Sequence, residues 1–167
     1  MNYPFIFVVI CVGIGATLFT DLWNLFLKRG FNIQSLNFCF LGRWILYMPT
    51  GTFRHNNIKA TPPKSFECVI GWIAHYSIGV LLTLLFIIFA PVDWIFRPTF
   101  LPALLYGICT VVFPLFIMQP SLGLGMASSN TPNPTQARFK SIMTHIIFGV
   151  GLWLCAITMK YSLMVII

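Results

Sequence analysis

Four long runs of apolar residues constrain this chain more than any other feature of its sequence. They cover residues of about 4–27, 66–90, 99–118 and 134–159. Each is long enough to cross the hydrocarbon core of a bilayer, which takes about 20 residues of α-helix. Because backbone polar groups find no water in lipid, such a run satisfies them as a helix. The sequence therefore predicts an all-α polytopic membrane protein, a single transmembrane domain with four transmembrane helices.

The composition agrees with this class. Apolar residues make up 58% of the chain and charged residues 8%, against roughly 25% charged residues in an average soluble domain, so an ordinary water-soluble protein is excluded. A fifth apolar segment, residues of about 33–48, is too short to cross comfortably and carries Asn37 and Arg43. Its length predicts a short interfacial or re-entrant helix.

The formal net charge of +7 is interpreted through the placement of the basic residues. Short loops rich in Lys and Arg stay in the cytoplasm, and the first and third connections hold eight such residues against two on the other side. The sequence therefore predicts a protein of the bacterial inner membrane with both termini periplasmic. The lipid bilayer is the expected partner, and nucleic-acid binding is an unnecessary explanation of the charge. The eight are Lys28, Arg29, Arg43, Arg54, Lys59, Lys64, Arg138 and Lys140.

Three further expectations concern side chains near or within these segments. The five cysteines are odd in number and show no C-x-x-C spacing, so we expect reduced core cysteines rather than a disulfide or zinc site. Arg43 has Asp21 and Glu67 as candidate partners, but snorkelling to lipid phosphate is its default. His55 lies among polar loop residues, where solvent exposure is expected.

Ionisable residues inside the spans mark the candidate site. Such a residue costs about 2.5 to 3.5 kcal/mol on insertion scales, so it must face protein, water or a partner. At 1.5 Å per residue, Asp21, His75 and His145 lie about 10, 12 and 8 Å from the charged residues that mark the cytoplasmic boundary. The sequence thus predicts an acid and two imidazoles in one inner-leaflet layer. Additional candidates around this layer are Gln119 as a further site residue, and Tyr76, Thr144, Arg43 and Arg138 in support.

Helical spacing directs the two histidines toward other helices. His75 shares a helix face with two glycines, and His145 shares one with Gly149, and small residues allow helices to approach closely. Two imidazoles and a carboxylate suit a divalent metal, with His75, His145 and Asp21 as ligands, or a proton relay. Two histidines on facing helices also suit haem, which has less support. A purely structural polar cluster is the competing interpretation.

A set of glycine, aromatic, proline and ionisable positions runs from the first span to the fourth and makes the chain similar to a known family. These are Gly13, Gly15, Thr17, Asp21, Trp23, Gly42, Arg43, Trp44, Gly71, Trp72, His75, Tyr76, Gly79, Gln119, Pro120, Gly123, Thr131, Pro132, His145 and Gly149. The chain resembles the bacterial integral-membrane proteins grouped as domain of unknown function 2938, and the resemblance covers nearly the whole chain. It implies a four-span architecture in the bacterial inner membrane and no activity.

Three functional hypotheses follow from the candidate site. The first is a small transport or permeation protein that binds a proton or divalent metal, within a homodimer because four spans enclose little space. The second is an accessory or assembly subunit of a larger membrane complex whose polar cluster only fixes its own helices. The third is a membrane-embedded enzyme or haem-binding protein. Because the chain has no H-E-x-x-H, G-x-S-x-G or P-loop motif, enzymatic activity is the less favoured class.

Overall fold

The computed structural model describes residues 5–91 and 93–165. Within these residues the chain is helical and contains no strand. We number its main helices α1 to α5. They are α1 (Phe5–Phe31), α2 (Phe38–Tyr47), α3 (Glu67–Phe89), α4 (Phe100–Ser121) and α5 (Pro134–Val165).

Four of these helices confirm the predicted membrane spans. By length and composition α1, α3, α4 and the Pro134–Ser162 part of α5 qualify as membrane-crossing helices. The short helix predicted between the first two spans is α2, which the Asn37 side chain caps by accepting from the Cys39 N–H at 2.9 Å. The all-α, four-span fold class predicted from sequence is therefore confirmed.

Four boundaries differ by three or more residues from the predicted ones: the ends of α1, α4 and α5, and the start of α2 at Phe38 rather than at about residue 33. Helix α1 continues through Phe31, and Asn32 takes the left-handed position after it, with φ 54°. Asparagine tolerates this conformation better than most residues. Helix α4 continues through Pro120 and contains a π-helical turn, Pro114–Met118, in which the Gln119 N–H donates to the Pro114 carbonyl. The wider turn and the Leu122 N–H bond to Met118 maintain the helix around Pro120.

The chain divides into two compact units. Within the described residues, the first unit comprises residues 5–34, 76–91, 93–109 and 144–165. Its core is apolar, with valines and alanine of α1 packed among aromatic and aliphatic side chains of α3, α4, α5 and the 90–99 turn. Small residues let its helices approach: Gly107 of α4 faces Gly149 of α5, where a Cβ on either glycine would lie within 3.2 Å of the other's Cα.

The second unit comprises residues 35–75 and 110–143. Here α2 packs on the start of α3, and the loop after α2 packs on the end of α4. Backbone bonds join that loop to the helix end, with the His55 N–H donating to the Ser121 carbonyl at 2.8 Å and the Ile58 N–H to the Leu122 carbonyl at 3.1 Å. The buried side chains of this unit include Arg43 and other polar groups alongside aliphatic ones.

Candidate functional site

Asp21 and Tyr76 form a hydrogen-bonded pair inside the first unit. Asp21 lies in the last third of α1 and Tyr76 in the first half of α3. The Tyr76 hydroxyl donates to Oδ2 of Asp21 at 3.0 Å, and both residues are half-buried. A carboxyl group predicted from sequence to need a partner in the membrane therefore has a neutral phenol as one of its partners.

Helix α5 carries two of the predicted site residues in the same unit. Thr144 and His145 are both half-buried. The main-chain carbonyl of His145 faces α4 at Gly107, where a Cβ would lie 2.6 Å from it. At this point α5 packs closely on α4 through Gly149 and Gly107.

The surroundings of His75 in the second unit are aromatic. Its ring stacks on Phe38 of α2, with centroids 3.9 Å apart and planes inclined by 24°, and meets the edge of Trp72 at 5.9 Å. His75 is half-buried. These rings explain its orientation through packing between α2 and α3.

Gln119 and Arg138 also lie in the second unit and fix its loops. Gln119 is buried, donates to the Ser141 hydroxyl at 3.2 Å and accepts from the Ser128 hydroxyl at 2.7 Å. Arg138 is exposed and donates to the Ala127 carbonyl at 2.7 Å. Both residues therefore tie the 122–133 connection to the helices on either side of it.

The predicted site residues thus belong to different units. Asp21, Tyr76, Thr144 and His145 are in the first, whereas Arg43, His75, Gln119 and Arg138 are in the second. Across residues 5–91 and 93–165, no group of three or more His, Cys, Asp or Glu side chains could hold a metal ion. The interpretation of Asp21, His75 and His145 as one proton-binding layer stays a prediction.

Arg43 does not snorkel to lipid phosphate, as its default interpretation expected. Its Nε and Nη2 donate to the two carboxylate oxygens of Glu67, each at 2.7 Å, and its Nη1 donates to the carbonyls of Ile58 and Thr61 at 3.0 and 2.7 Å. Of its two candidate side-chain partners, Asp21 and Glu67, it pairs with Glu67. The hydrogen bonds with Glu67 raise the pKa of the guanidinium above its usual value. With these bonds made, Arg43 is a structural centre of its unit.

His55 is buried, and the expectation of a solvent-exposed loop histidine is wrong. Only 6% of its surface is exposed. Its Nδ1 lies 3.2 Å from the Thr61 hydroxyl, and its ring meets the edge of Tyr47 at 5.2 Å. Burial, followed by the nearby Arg43 charge, lowers the pKa of His55. Its Nε2 has no hydrogen-bond partner within the described part of the chain.

Two of the cysteines are joined, which corrects the expectation of reduced core cysteines. Cys39 of α2 and Cys68 of α3 form a disulfide, while Cys11, Cys109 and Cys155 are free. A search for C-x-x-C spacing misses this pair because each cysteine lies on its own helix. The available signal was a shared C-x-x-G pattern, Cys39 with Gly42 and Cys68 with Gly71, at two helix starts.

Comparison with known proteins gives one match. A family model with the description Protein of unknown function (DUF2938) matches residues 10–159. No curated protein and no solved structure matches the chain. The match includes every candidate site residue described above.

Proposed function

The chain belongs to the family described as Protein of unknown function (DUF2938), and this membership assigns it no activity. We propose that it is a small transport or permeation protein that binds and releases protons inside the membrane, at a site centred on Asp21 and Tyr76. The expected homodimer, the bacterial inner membrane and the periplasmic termini belong to this proposal.

The hydrogen bond between Tyr76 and Asp21 is the observation that carries the proposal. A carboxyl group in a span is expensive, and such residues are typical of ion and proton pathways. A hydroxyl has one donor hydrogen and acceptor lone pairs, so it can donate to a carboxylate and accept from a carboxylic acid. Tyr76 can therefore hydrogen-bond Asp21 in both protonation states, and a proton can enter or leave without repacking of the helices.

The two histidines belong to the same proposal as proton relay groups. His75 precedes Tyr76 in the chain, and His145 lies in α5 of the first unit. Imidazole exchanges protons near neutral pH, which makes histidines the usual relay groups beside a membrane carboxyl. A metal substrate is not part of the proposal, because no metal-binding group of three side chains is found in residues 5–91 and 93–165.

Proton flux into liposomes tests this function. The purified protein is reconstituted with an enclosed pH-sensitive dye, and flux is driven by a potassium diffusion potential. We expect flux above that of protein-free vesicles and a fall to that background in Asp21→Asn, which keeps the size of the side chain and loses the exchangeable proton. Tyr76→Phe should lower flux less, because only the hydrogen-bond partner is lost.

Asp93 provides the matched control. It lies between α3 and α4, its side chain is 60% exposed, and its nearest basic partner is Arg97 at 3.6 Å. Asp93→Asn should conduct as the wild type does. Wild-type flux no greater than that of empty vesicles, or full flux in a monodisperse Asp21→Asn protein, would contradict the proposed function.

A further inference from the structure

The crossing of α2 and α3 brings two backbones into direct contact beside a disulfide. A Cβ on Gly42 would overlap the Glu67 carbonyl and lie 2.6 Å from the Gly71 nitrogen, and a Cβ on Gly71 would overlap the Phe38 carbonyl. Only glycine permits this approach at both positions. The disulfide lies three residues before each glycine, in the first turn of each helix.

The crossing has supports that do not depend on the sulfur–sulfur bond. Arg43 of α2 holds the Glu67 carboxylate of α3 with two hydrogen bonds of 2.7 Å. Phe38 of α2 packs its ring on two aromatic rings of α3. If the disulfide is reduced, these contacts and the glycine approach keep the two sulfurs side by side. The thiols can then re-form the bond without a search through other conformations.

One cysteine of the pair is exposed, and both lie where thiolates are stabilised. Cys68 is exposed and Cys39 is half-buried. Each is the second residue of its helix, where the partial positive charge of a helix N-terminus favours the thiolate. Exchange reactions need an accessible sulfur for attack and a stabilised thiolate as leaving group.

The basic residues near the disulfide indicate the side of the membrane on which it lies, and that side bears on whether the bond is permanent. The last turn of α1 contains Lys28 and Arg29, and the connection between α1 and α3 contains Arg54, Lys59 and Lys64 in addition to Arg43. This excess of basic residues favours the cytoplasmic side. Cytoplasmic disulfides are usually transient, catalytic or redox-sensing. We propose that Cys39 and Cys68 are a reversible dithiol–disulfide pair that exchanges electrons with dithiols at the crossing of α2 and α3.

The exchange balances with a dithiol as reductant. A thiolate of the dithiol attacks the exposed Cys68 Sγ, the Cys39–Cys68 bond breaks, and Cys39 leaves as a thiolate that takes up a proton. The second sulfur of the reductant, as a thiolate, then attacks the reductant sulfur that is bonded to Cys68. Cys68 leaves as a thiolate and takes up a proton. Two electrons and two protons pass from the dithiol to the protein, and the reductant ends as a disulfide.

Thiol trapping in membranes tests this proposal. Membranes are equilibrated with defined ratios of reduced and oxidised dithiothreitol, quenched with acid and tagged with a maleimide that shifts gel mobility. A variant with Cys11→Ser, Cys109→Ser and Cys155→Ser retains only the pair. It should pass between zero and two tags with the same midpoint from either direction. Cys39→Ser with Cys68→Ser should show no redox-dependent tagging.

Three results would overturn the proposal. The first is a bridge that dithiothreitol reduces only after the protein is unfolded. The second is a Cys39→Ser with Cys68→Ser protein that loses its cooperative unfolding transition, because the bond would then be what holds the crossing. The third is complete oxidation in unstressed cells, where the same trapping should find mainly thiols and, after the thiol oxidant diamide, the disulfide.

Discussion

The two compact units of this protein are stabilised by different chemistry. In the first, the buried polar side chains Thr17, Thr20 and Thr83 bond carbonyls four residues back in their own helices, and the helices meet through small and apolar residues. In the second, a buried ion pair, side-chain bonds to loop carbonyls and a disulfide join segments distant in sequence.

This difference predicts how the stability of each unit responds to substitution. Packing between small residues contributes dispersion energy over many weak contacts. One added methyl group therefore lowers the free energy of unfolding by a moderate amount. A buried ion pair is costly to desolvate, and removal of one partner leaves the other charged and unsatisfied. The second unit should therefore be the more sensitive to a single change.

Arg43→Met should have the largest effect. Arg43 and Glu67 have side chains only 9% and 12% exposed, so the variant leaves a carboxylate nearly buried without its partner. We expect a loss of about 3–5 kcal/mol in the free energy of unfolding, measured by denaturant titration in detergent. Adding Glu67→Gln should recover part of this loss. A single variant that loses less than about 1 kcal/mol would contradict the central role of the pair.

Gly149→Ala tests the first unit with a smaller expected effect. The new Cβ would lie 2.6 Å from the Ala103 carbonyl oxygen and 3.1 Å from the Leu104 Cα, so α4 and α5 must separate. We expect a loss of about 1–3 kcal/mol in the same titration. Gly30→Ala is the control, because its nearest neighbour is a Phe26 ring atom at 4.0 Å. A Gly149→Ala loss above that of Arg43→Met would reverse the comparison.

His55 should give the smallest effect, confined to acidic pH. Its pKa is lowered from 6.5 in the folded protein by burial, so between the two values the unfolded chain binds more protons. The stability that neutral His55 contributes is complete above about pH 6.5 and is lost as the pH falls toward the folded pKa.

His55→Phe keeps a ring against Tyr47 and removes this titration. We expect the difference in melting temperature between variant and wild type to change between pH 7.5 and pH 5.5 in favour of the variant. The measurement is thermal unfolding in detergent at both pH values. A difference that does not vary with pH would assign His55 a packing role alone.

Sequence patterns predicted the helices well because a membrane span is a local property. Apolar length alone located four spans, and Pro134 lies at the predicted start of the fourth. The ends were harder, since α1 continues past residue 27 to Phe31 and a π-helical turn accommodates Pro120 in α4. Where a helix ends depends on its cap and on which carbonyl each N–H bonds, and apolar periodicity does not report either.

The candidate site was predicted less completely. Asp21 and Tyr76 were both singled out from sequence, and the structure adds the bond between them. The burial of His55 and the disulfide were missed, and the pairing of Arg43 with Glu67 was an alternative to the default interpretation. Each depends on contacts between segments at least six residues apart, and in the disulfide 29 residues apart, across a loop whose polar composition resembles that of a solvated one.

The amino-acid sequence alone was enough to predict a lipid environment for this protein, four membrane-crossing helices and the residues too polar to face lipid. These follow from the cost of exposing apolar surface to water and polar groups to hydrocarbon, which each segment carries alone. The side-chain partners became known from the tertiary structure. They are Tyr76 in a hydrogen bond with Asp21, Glu67 in an ion pair with Arg43 and Cys68 in a disulfide with Cys39. Pairing requires two distant segments to approach within hydrogen-bond or bonding distance, and that approach depends on how the helices pack.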